Sequence, residues 1–284
     1  MSDSKTVFAQ GSTALITGGA SGVGLAIAKL CKGKGMNLLL VDRNEEALKA
    51  AVSDISDVSD SPTVKSFTAD VSKLEDWSKL QELVTAEVGS IELLVLNAGM
   101  GMKGGWGDHD YFRTTLETNL FGVLHGVNTF LPTVKKAAES KRTAIVITGS
   151  KQGITNPPGN PAYNASKAAV KSLAEQLSYE LKGSNTSVHL LVPGWTFTGL
   201  TGGGQGKEKP AGAWAPEQVA EYMFNKMVDD QFYIICPDND VSEETDKKRM
   251  LWSVGDIVHG RSPLSRWREE WKKEAEETMA KTQV

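Results

Sequence analysis

Thr17-Gly18-Gly19-Ala20-Ser21-Gly22-Val23-Gly24 follows the apolar triplet Ala14-Leu15-Ile16 and leads into a segment of helical period from Gly22 to about Lys34. A strand, a glycine turn and a helix in direct succession predict one βα unit. Gly18, Gly22 and Gly24 permit a tight turn. Without side chains there, the backbone around Ser21 and Val23 and the helix N-terminus are free to approach a pyrophosphate. The spacing departs from the commoner G-x-G-x-x-G fingerprint, because Ile27 stands where its third glycine or alanine would fall. An ordinary strand-to-helix turn is the competing reading.

The same punctuation repeats downstream. Asn37–Val41, Thr63–Thr68, Ile91–Leu96, Ala144–Thr148, Ser187–Val192 and Phe232–Ile235 read as strands with helical stretches between them. Seven nearly continuous aliphatic strands predict a doubly wound α/β fold: a parallel sheet covered by helices on both faces, with right-handed crossovers. Ligands of such sheets bind outside the carboxyl ends of the strands, so the residues that follow each strand carry the functional argument.

Composition narrows the class of partner. The 284 residues are 40% hydrophobic and 23% charged, with a formal net charge of -4. That is globular composition, without a general attraction to nucleic acid or anionic lipid, so a small-molecule partner is expected. Cys31 and Cys236 lack metal-ligand neighbours and are expected as reduced, buried thiols. His109, His125, His189 and His259 form no ligand spacing, so no metal is expected. Met1–Gln10 lacks a signal-peptide pattern and no apolar run is long enough to span a bilayer, which predicts a soluble, cytoplasmic protein.

Asp42 ends the second strand, 18 residues beyond Gly24. A carboxylate there accepts hydrogen bonds from adenosine ribose hydroxyls and favours NAD. A 2'-phosphate about 4 Å away would be repelled by roughly 4 kcal/mol per unit charge at an effective dielectric near 20, which makes NADP the weaker candidate. Arg43 offsets part of that repulsion. The competing role of Asp42 is to cap the helix from Asn44 to Ile55, with Asn44 as a rival cap.

Ser150 closes the fifth strand, and 13 residues later comes Tyr163-Asn164-Ala165-Ser166-Lys167 inside a helical segment that runs to about Lys182. Positions four apart share a helix face, so phenol and ammonium can act together. An unperturbed tyrosine is a poor base near neutrality, and an ammonium about 5 Å away favours the phenolate by ~3 kcal/mol at an effective dielectric near 20. The spacing recurs in Tyr222-Met223-Phe224-Asn225-Lys226, where Met223 and Met227 point instead to core packing with a snorkelling lysine.

Thr17-Gly18-x-x-x-Gly22-x-Gly24, Asp70, Asn97-Ala98-Gly99, Asn119, Ser150, Tyr163-x-x-x-Lys167 and Pro193-Gly194 together resemble the short-chain dehydrogenase/reductase family over residues 12 to 200. The resemblance implies a Rossmann-type fold and an NAD(H)-dependent oxidoreductase that interconverts an alcohol, a secondary one above all, with its ketone or aldehyde. In that picture Tyr163 is the general acid/base, Ser150 hydrogen-bonds the reacting oxygen, and Lys167 holds the nicotinamide ribose and lowers the tyrosine pKa. Asn119 anchors a proton-relay water; its plainer reading is a buried helix asparagine that caps local backbone. The resemblance also places Asp70-Val71 at the adenine and Asn97 in the central sheet beside the cofactor. Pro193-Gly194, Thr196 and Thr198 fall at the carboxamide. Gly149 and Leu96 depart from the residues common at those positions, which bears on local geometry.

One domain over 1–284 is expected, with a core at 12–236, a substrate loop at 199–215 and a helical C-terminal extension at 237–284. Met100, Met102, Trp106, Pro157, Trp195 and Phe197 suggest an apolar or aromatic substrate pocket, or equally core packing. In the extension, Trp252, Trp267 and Trp271 are candidate anchors. From Leu264 to Val284 five cations balance five glutamates, so no basic surface is expected. The resemblance implies a homodimer or homotetramer. The rival function is a nucleotide-binding sensor or scaffold without turnover, against which Asn119, Ser150, Tyr163 and Lys167 argue jointly. A nucleotide-sugar epimerase is disfavoured by the glycine spacing.

Overall fold

A computed structural model describes residues 6–56, 62–203 and 206–284. The expectations for Met1–Gln10 and for the substrate loop at 199–215 therefore fall partly outside the described residues. Seven strands, β1 (Thr13–Thr17), β2 (Asn37–Asp42), β3 (Val64–Thr68), β4 (Leu93–Leu96), β5 (Thr143–Thr148), β6 (Thr186–Val192) and β7 (Tyr233–Ile235), form one parallel sheet in the order β3-β2-β1-β4-β5-β6-β7. This is the predicted doubly wound arrangement. The order reverses between β1 and β4, which opens a crevice at their carboxyl ends.

Strand periodicity explains why the strands are continuously apolar. Ala14, Ile16, Leu38, Leu40, Val95 and Val146 face one layer, where α1 (Gly22–Gly33), α2 (Glu45–Ile55) and α8 (Pro216–Val228) pack. Leu15, Leu39, Leu94, Leu96, Ile145 and Ile147 face the other, under α3 (Leu74–Leu83), α5 (Gly122–Ala137) and α7 (Pro161–Glu180). With both faces buried, successive residues on the central strands must be hydrophobic, not only alternate ones. β3 lies at the sheet edge and is correspondingly mixed, its Lys65, Phe67 and Thr68 partly or fully exposed.

α4 (His109–Leu116) passes through a π-turn (Glu117–Phe121) into α5. Such a turn inserts one residue into the helical repeat and re-aims the side chains around it; Asn119 lies inside it and is wholly buried. α6 (Lys151–Thr155) is a short helix that starts directly after Ser150.

The extension is helical, as expected: α9 (Glu243–Val258) and α10 (Glu269–Lys281) joined through a 3-10 turn (Ser265–Trp267). Trp252 is its buried anchor. The indole N–H donates to Ser265 Oγ at 2.8 Å, and the Arg261 guanidinium lies 3.6 Å over the ring while its Nε donates to Asp256 at 3.0 Å. Trp267 and Trp271 remain partly exposed. Cys31 and Cys236 are buried and unpaired, their thiols pushed up to about 12 by burial, so both are inert. Among the described residues no helix is long and apolar enough to cross a membrane.

Asn97 ties the three central strands together just past their ends. Its Nδ2 donates to Thr17 O at 3.2 Å and its Oδ1 accepts from Thr148 Oγ1 at 3.2 Å, while Thr17 Oγ1 accepts from the backbone N–H groups of Asn97 and Ala98. Asn97→Ala strands two polar partners at the sheet rim and is expected to lower the unfolding free energy by about 2 to 3 kcal/mol in denaturant titration. An unchanged midpoint would refute the clasp.

Candidate active site

The glycine loop needs its glycines for two separate reasons. Gly18 (φ +64°) and Gly22 (φ +53°) occupy left-handed backbone, and a Cβ on Gly24 would lie 2.1 Å from Gly18 O. Loop and helix thus touch backbone to backbone. Ser21 sits at the N-cap of α1, no side chain caps that end, and the first turn carries no acidic residue. The first-turn N–H groups are free for an anion, which is the donor set a pyrophosphate requires.

Asp42 and Asn44 divide the two roles the sequence left open. Asn44 Oδ1 accepts from Ala47 N–H at 3.0 Å and caps α2. Asp42 instead accepts from Ala20 N–H at 3.3 Å and Asn44 N–H at 3.1 Å, so its carboxylate is held beside the glycine loop. Burial pushes the Asp70 carboxyl up, but two hydrogen bonds from Ser72, with Arg43 and Lys73 nearby, win and hold it below its ordinary value. Val71 packs against Gly122, where a Cβ would come within 2.9 Å of its Cγ2.

At the next strand ends, Tyr163 is 9% exposed and lies against Ser150. Burial raises the phenol pKa, and the Ser150 hydroxyl opposes that rise. Lys167 is nearly sealed from solvent, its Nζ donating to Thr148 O at 2.8 Å and standing 5.8 Å from the centre of the Tyr163 ring. Burial lowers the ammonium to about 8. The expected net lowering of the tyrosine is therefore not found in the chain by itself: desolvation of the phenol prevails, and the lysine charge is itself weakened by burial.

The Asn119 side chain is engaged with the loop after β4 and with α7. Its Oδ1 accepts from Met100 N–H at 2.8 Å, and its Nδ2 donates to Met100 O at 3.0 Å and Ser166 Oγ at 3.4 Å. The amide thus brackets the loop after β4. Gly99 is small for a reason, since a Cβ there would lie 3.3 Å from Asn119 Oδ1 and 3.5 Å from Lys167 Nζ.

The loop after β6 folds back onto the glycine loop. Thr198 Cγ2 would lie 3.2 Å from a Cβ on Gly22, so Pro193-Gly194 through Thr198 closes one wall of the crevice. Thr196 Oγ1 is engaged with Gly194 O. The base of the following excursion is pinned, because Trp214 N–H donates to Trp195 O and Phe197 N–H donates to Trp214 O. Leu200, which the sequence did not single out, reaches back to Gly101, where a Cβ would meet its Cδ1 at 3.3 Å. Of the suggested apolar pocket, Trp195 and Met102 are 43% and 38% exposed, whereas Trp106 is 85% exposed and stacks on Phe112.

Three further residues were missed. Lys151, directly after Ser150, places its Nζ 2.6 Å from Asp246 and 3.1 Å from Asp238, and Asp238 Oδ2 also accepts from Trp195 N–H at 3.0 Å. This buried network joins the Ser150 helix, the loop after β6 and the C-terminal extension. The partners are far apart in sequence, and only the lysine's place after Ser150 hinted at it. Tyr222 packs against the core, edge-on to Trp214, as expected, and in addition its hydroxyl donates to Glu243 Oε2 at 2.5 Å, with Lys226 on the same carboxylate. Among the described residues no histidine, cysteine or carboxylate cluster could hold a metal ion.

Comparison with known proteins agrees with this geometry. The family model for short chain dehydrogenase matches residues 12–208. A 3-oxoacyl-(acyl-carrier-protein) reductase of Chlamydia muridarum is 32% identical over 197 residues, which is 67% of this chain and 76% of that protein. A 3-ketodihydrosphingosine reductase of Bos taurus is 30% identical over 237 residues, 78% of this chain and 70% of that protein. Among solved structures, a short-chain dehydrogenase/reductase from Burkholderia phymatum in complex with NAD superposes with a TM-score of 0.79 at 27% identity, over 89% of this chain and 96% of that one. An alcohol dehydrogenase from Thermococcus sibiricus complexed with 5-hydroxy-NADP gives 0.68 at 25% identity, over 77% and 91%. With the sheet order, the glycine loop and the family match in agreement, the chain belongs to the short-chain dehydrogenase/reductase family of oxidoreductases.

Proposed function

We propose that the chain is an NAD(H)-dependent oxidoreductase that interconverts an alcohol, a secondary one above all, with its ketone or aldehyde. We assign residues 12–236 as the core of one domain, 199–215 as the loop that closes on substrate and 237–284 as an appended helical layer. The observation that carries the reading is the convergence of Ser150, Tyr163 and Lys167 at one rim of the sheet.

A nicotinamide coenzyme, when bound, supplies or accepts the hydride. The fit of the chain to such a coenzyme rests on its own features. Gly18, Gly22 and Gly24 leave room at an uncapped helix start, with Ala98 and Thr198 against them, and we assign Ser21, Val23, Gly99, Pro193, Gly194 and Thr196 to the same site. Tyr163 Oη gives the proton to a carbonyl oxygen in reduction, or takes it from a hydroxyl in oxidation. Ser150 Oγ donates a hydrogen bond to that oxygen and orients it. Lys167 keeps a positive charge on the same helix face, which favours the phenolate when the tyrosine has released its proton. Asn119 holds Met100 and so fixes the floor on which substrate rests.

NAD is the proposed cofactor because Asp42 is held by Ala20 and Asn44 beside the glycine loop, where a ribose 2'-phosphate would meet its charge. Trp195, Phe197, Met100 and Met102 favour a substrate with an apolar or aromatic body. Phe121 and Tyr179, exposed on the π-turn and α7, support a homodimer or homotetramer built through those helices.

Tyr163→Phe is expected to lower kcat by roughly 100-fold or more while NAD binding stays nearly unchanged; full turnover in that variant would end the proposal, and wild-type protein that binds NAD but turns over no alcohol or ketone in a screen would favour the sensor. Asp42→Ala is expected to shift the ratio of kcat/KM for NAD over NADP toward NADP by roughly tenfold or more, and an unchanged ratio would remove Asp42 from coenzyme selection. The folded Lys167 loses its proton at about 8, below its unfolded value of 10.5. The unfolded chain therefore binds more protons between those values, and stability from this group rises with pH across that window. Relative to Lys167→Met, wild-type Tm is expected to gain as pH rises from 8 to 10; parallel curves would contradict the burial of the ammonium.

A further inference from the structure

From Leu264 to Val284 charge is balanced in sequence but not in space. Where α9, the 3-10 turn and α10 meet they enclose a cleft of about 500 Å³, away from the coenzyme crevice. Lys248, Arg249, Arg266 and Lys272 line it, against a single carboxylate, Glu276. Trp267, Ala275, Met279 and Ala280 form its apolar wall. Such a volume lies in the range of small-molecule sites.

Two of these cations are already committed. Lys248 pairs with Glu244 at 2.8 Å and Arg249 stands 3.5 Å from Asp246. Arg266 is different. Its guanidinium rests 4.1 Å over the Trp267 ring, its Nε is buried without a hydrogen-bond partner, and among the described residues it makes no ion pair. Burial, and then the charge of Arg249, lower the guanidinium to about 10, while the charge of Asp246 opposes this. Two guanidinium groups line the same partly dehydrated recess, an arrangement that carries a cost unless an anion joins them. The planar fork of an arginine fits a carboxylate or phosphate edge, with the ring below to hold it in place.

We propose that this cleft binds a small organic oxyanion, its carboxylate or phosphate head between Arg266 and Arg249 and its apolar body against Trp267, Ala275, Met279 and Ala280. The site is separate from the catalytic residues and does not depend on their assigned roles. Through Arg249 it lies two ion pairs from Lys151, the residue that follows Ser150.

Isothermal titration calorimetry of the full chain tests this without turnover. The probes are octyl phosphate and nonanoate, with inorganic phosphate as the head alone and octanol as the tail alone. One amphiphile is expected to bind saturably, at least about tenfold more tightly than either fragment, and preference between the two heads identifies the oxyanion. Arg266→Met should weaken that binding about tenfold or more with Tm and circular dichroism retained, and Ala280→Trp, which fills the apolar end without altering charge, should also weaken it. Saturating NADH should leave it unchanged. The proposal is overturned if neither amphiphile gives saturable heat, if Arg266→Met and Ala280→Trp both bind as wild type does, or if NADH displaces the probe. Sedimentation of wild type and Arg266→Met at matched concentrations checks the remaining occupant, and a change of oligomeric state would make the cleft a subunit contact and also overturn the proposal.

Discussion

A lysine ammonium held almost entirely out of water is the constraint around which the rim of this molecule is arranged. Lys167 Nζ donates to Thr148 O, and that one bond joins the Tyr163 helix to the end of the strand that delivers Ser150. Its environment leaves little room for variation. A Cβ on Gly153 would fall 2.6 Å from the Lys167 carbonyl carbon, and one on Gly99 would crowd its ammonium and Asn119 together. Gly153 thus lets α6 pack against the α7 backbone, and Gly99 leaves space for the ammonium. Burial weakens its hold on a proton, and this makes the local electrostatics dependent on what else enters the crevice.

A second buried cation extends the same logic to the C-terminal layer. Lys151 sits between Asp238 and Asp246, and Asp246 adds Arg249 on its other side. Two positive and two negative charges close the group with no net charge, which is the condition under which ions survive burial. Because Asp238 also holds Trp195 N–H, the extension braces the Ser150 helix and the loop after β6 at one point. Burial nonetheless raises the Asp246 carboxyl.

The sheet was legible because its signals are local. Each strand is a short apolar run between helical segments, and the structure shifts its bounds by only a residue or two. The glycine loop, Asn97 and the Tyr163–Lys167 pair were equally readable, since their spacing is covalent. What the sequence could not carry was balance between opposing terms. It supplied the attraction of Lys167 for a phenolate but not the desolvation that overrides it. Asp42 and Asn44 were both plausible caps, and only geometry assigned the cap to Asn44. Lys151 meets Asp246 across 95 positions, and Lys248, Arg249, Arg266 and Lys272 gather at one cleft although cations and acids from Leu264 to Val284 are equal in number.

The account depends on a phenol whose proton affinity is high in the isolated chain and falls as the crevice fills. Ultraviolet difference titration of wild type against Tyr163→Phe, with and without saturating NAD, measures this directly. The Tyr163 signal should titrate above the ordinary tyrosine value in the free protein and move clearly downward with NAD bound. A titration at the same pH in both states would contradict the account.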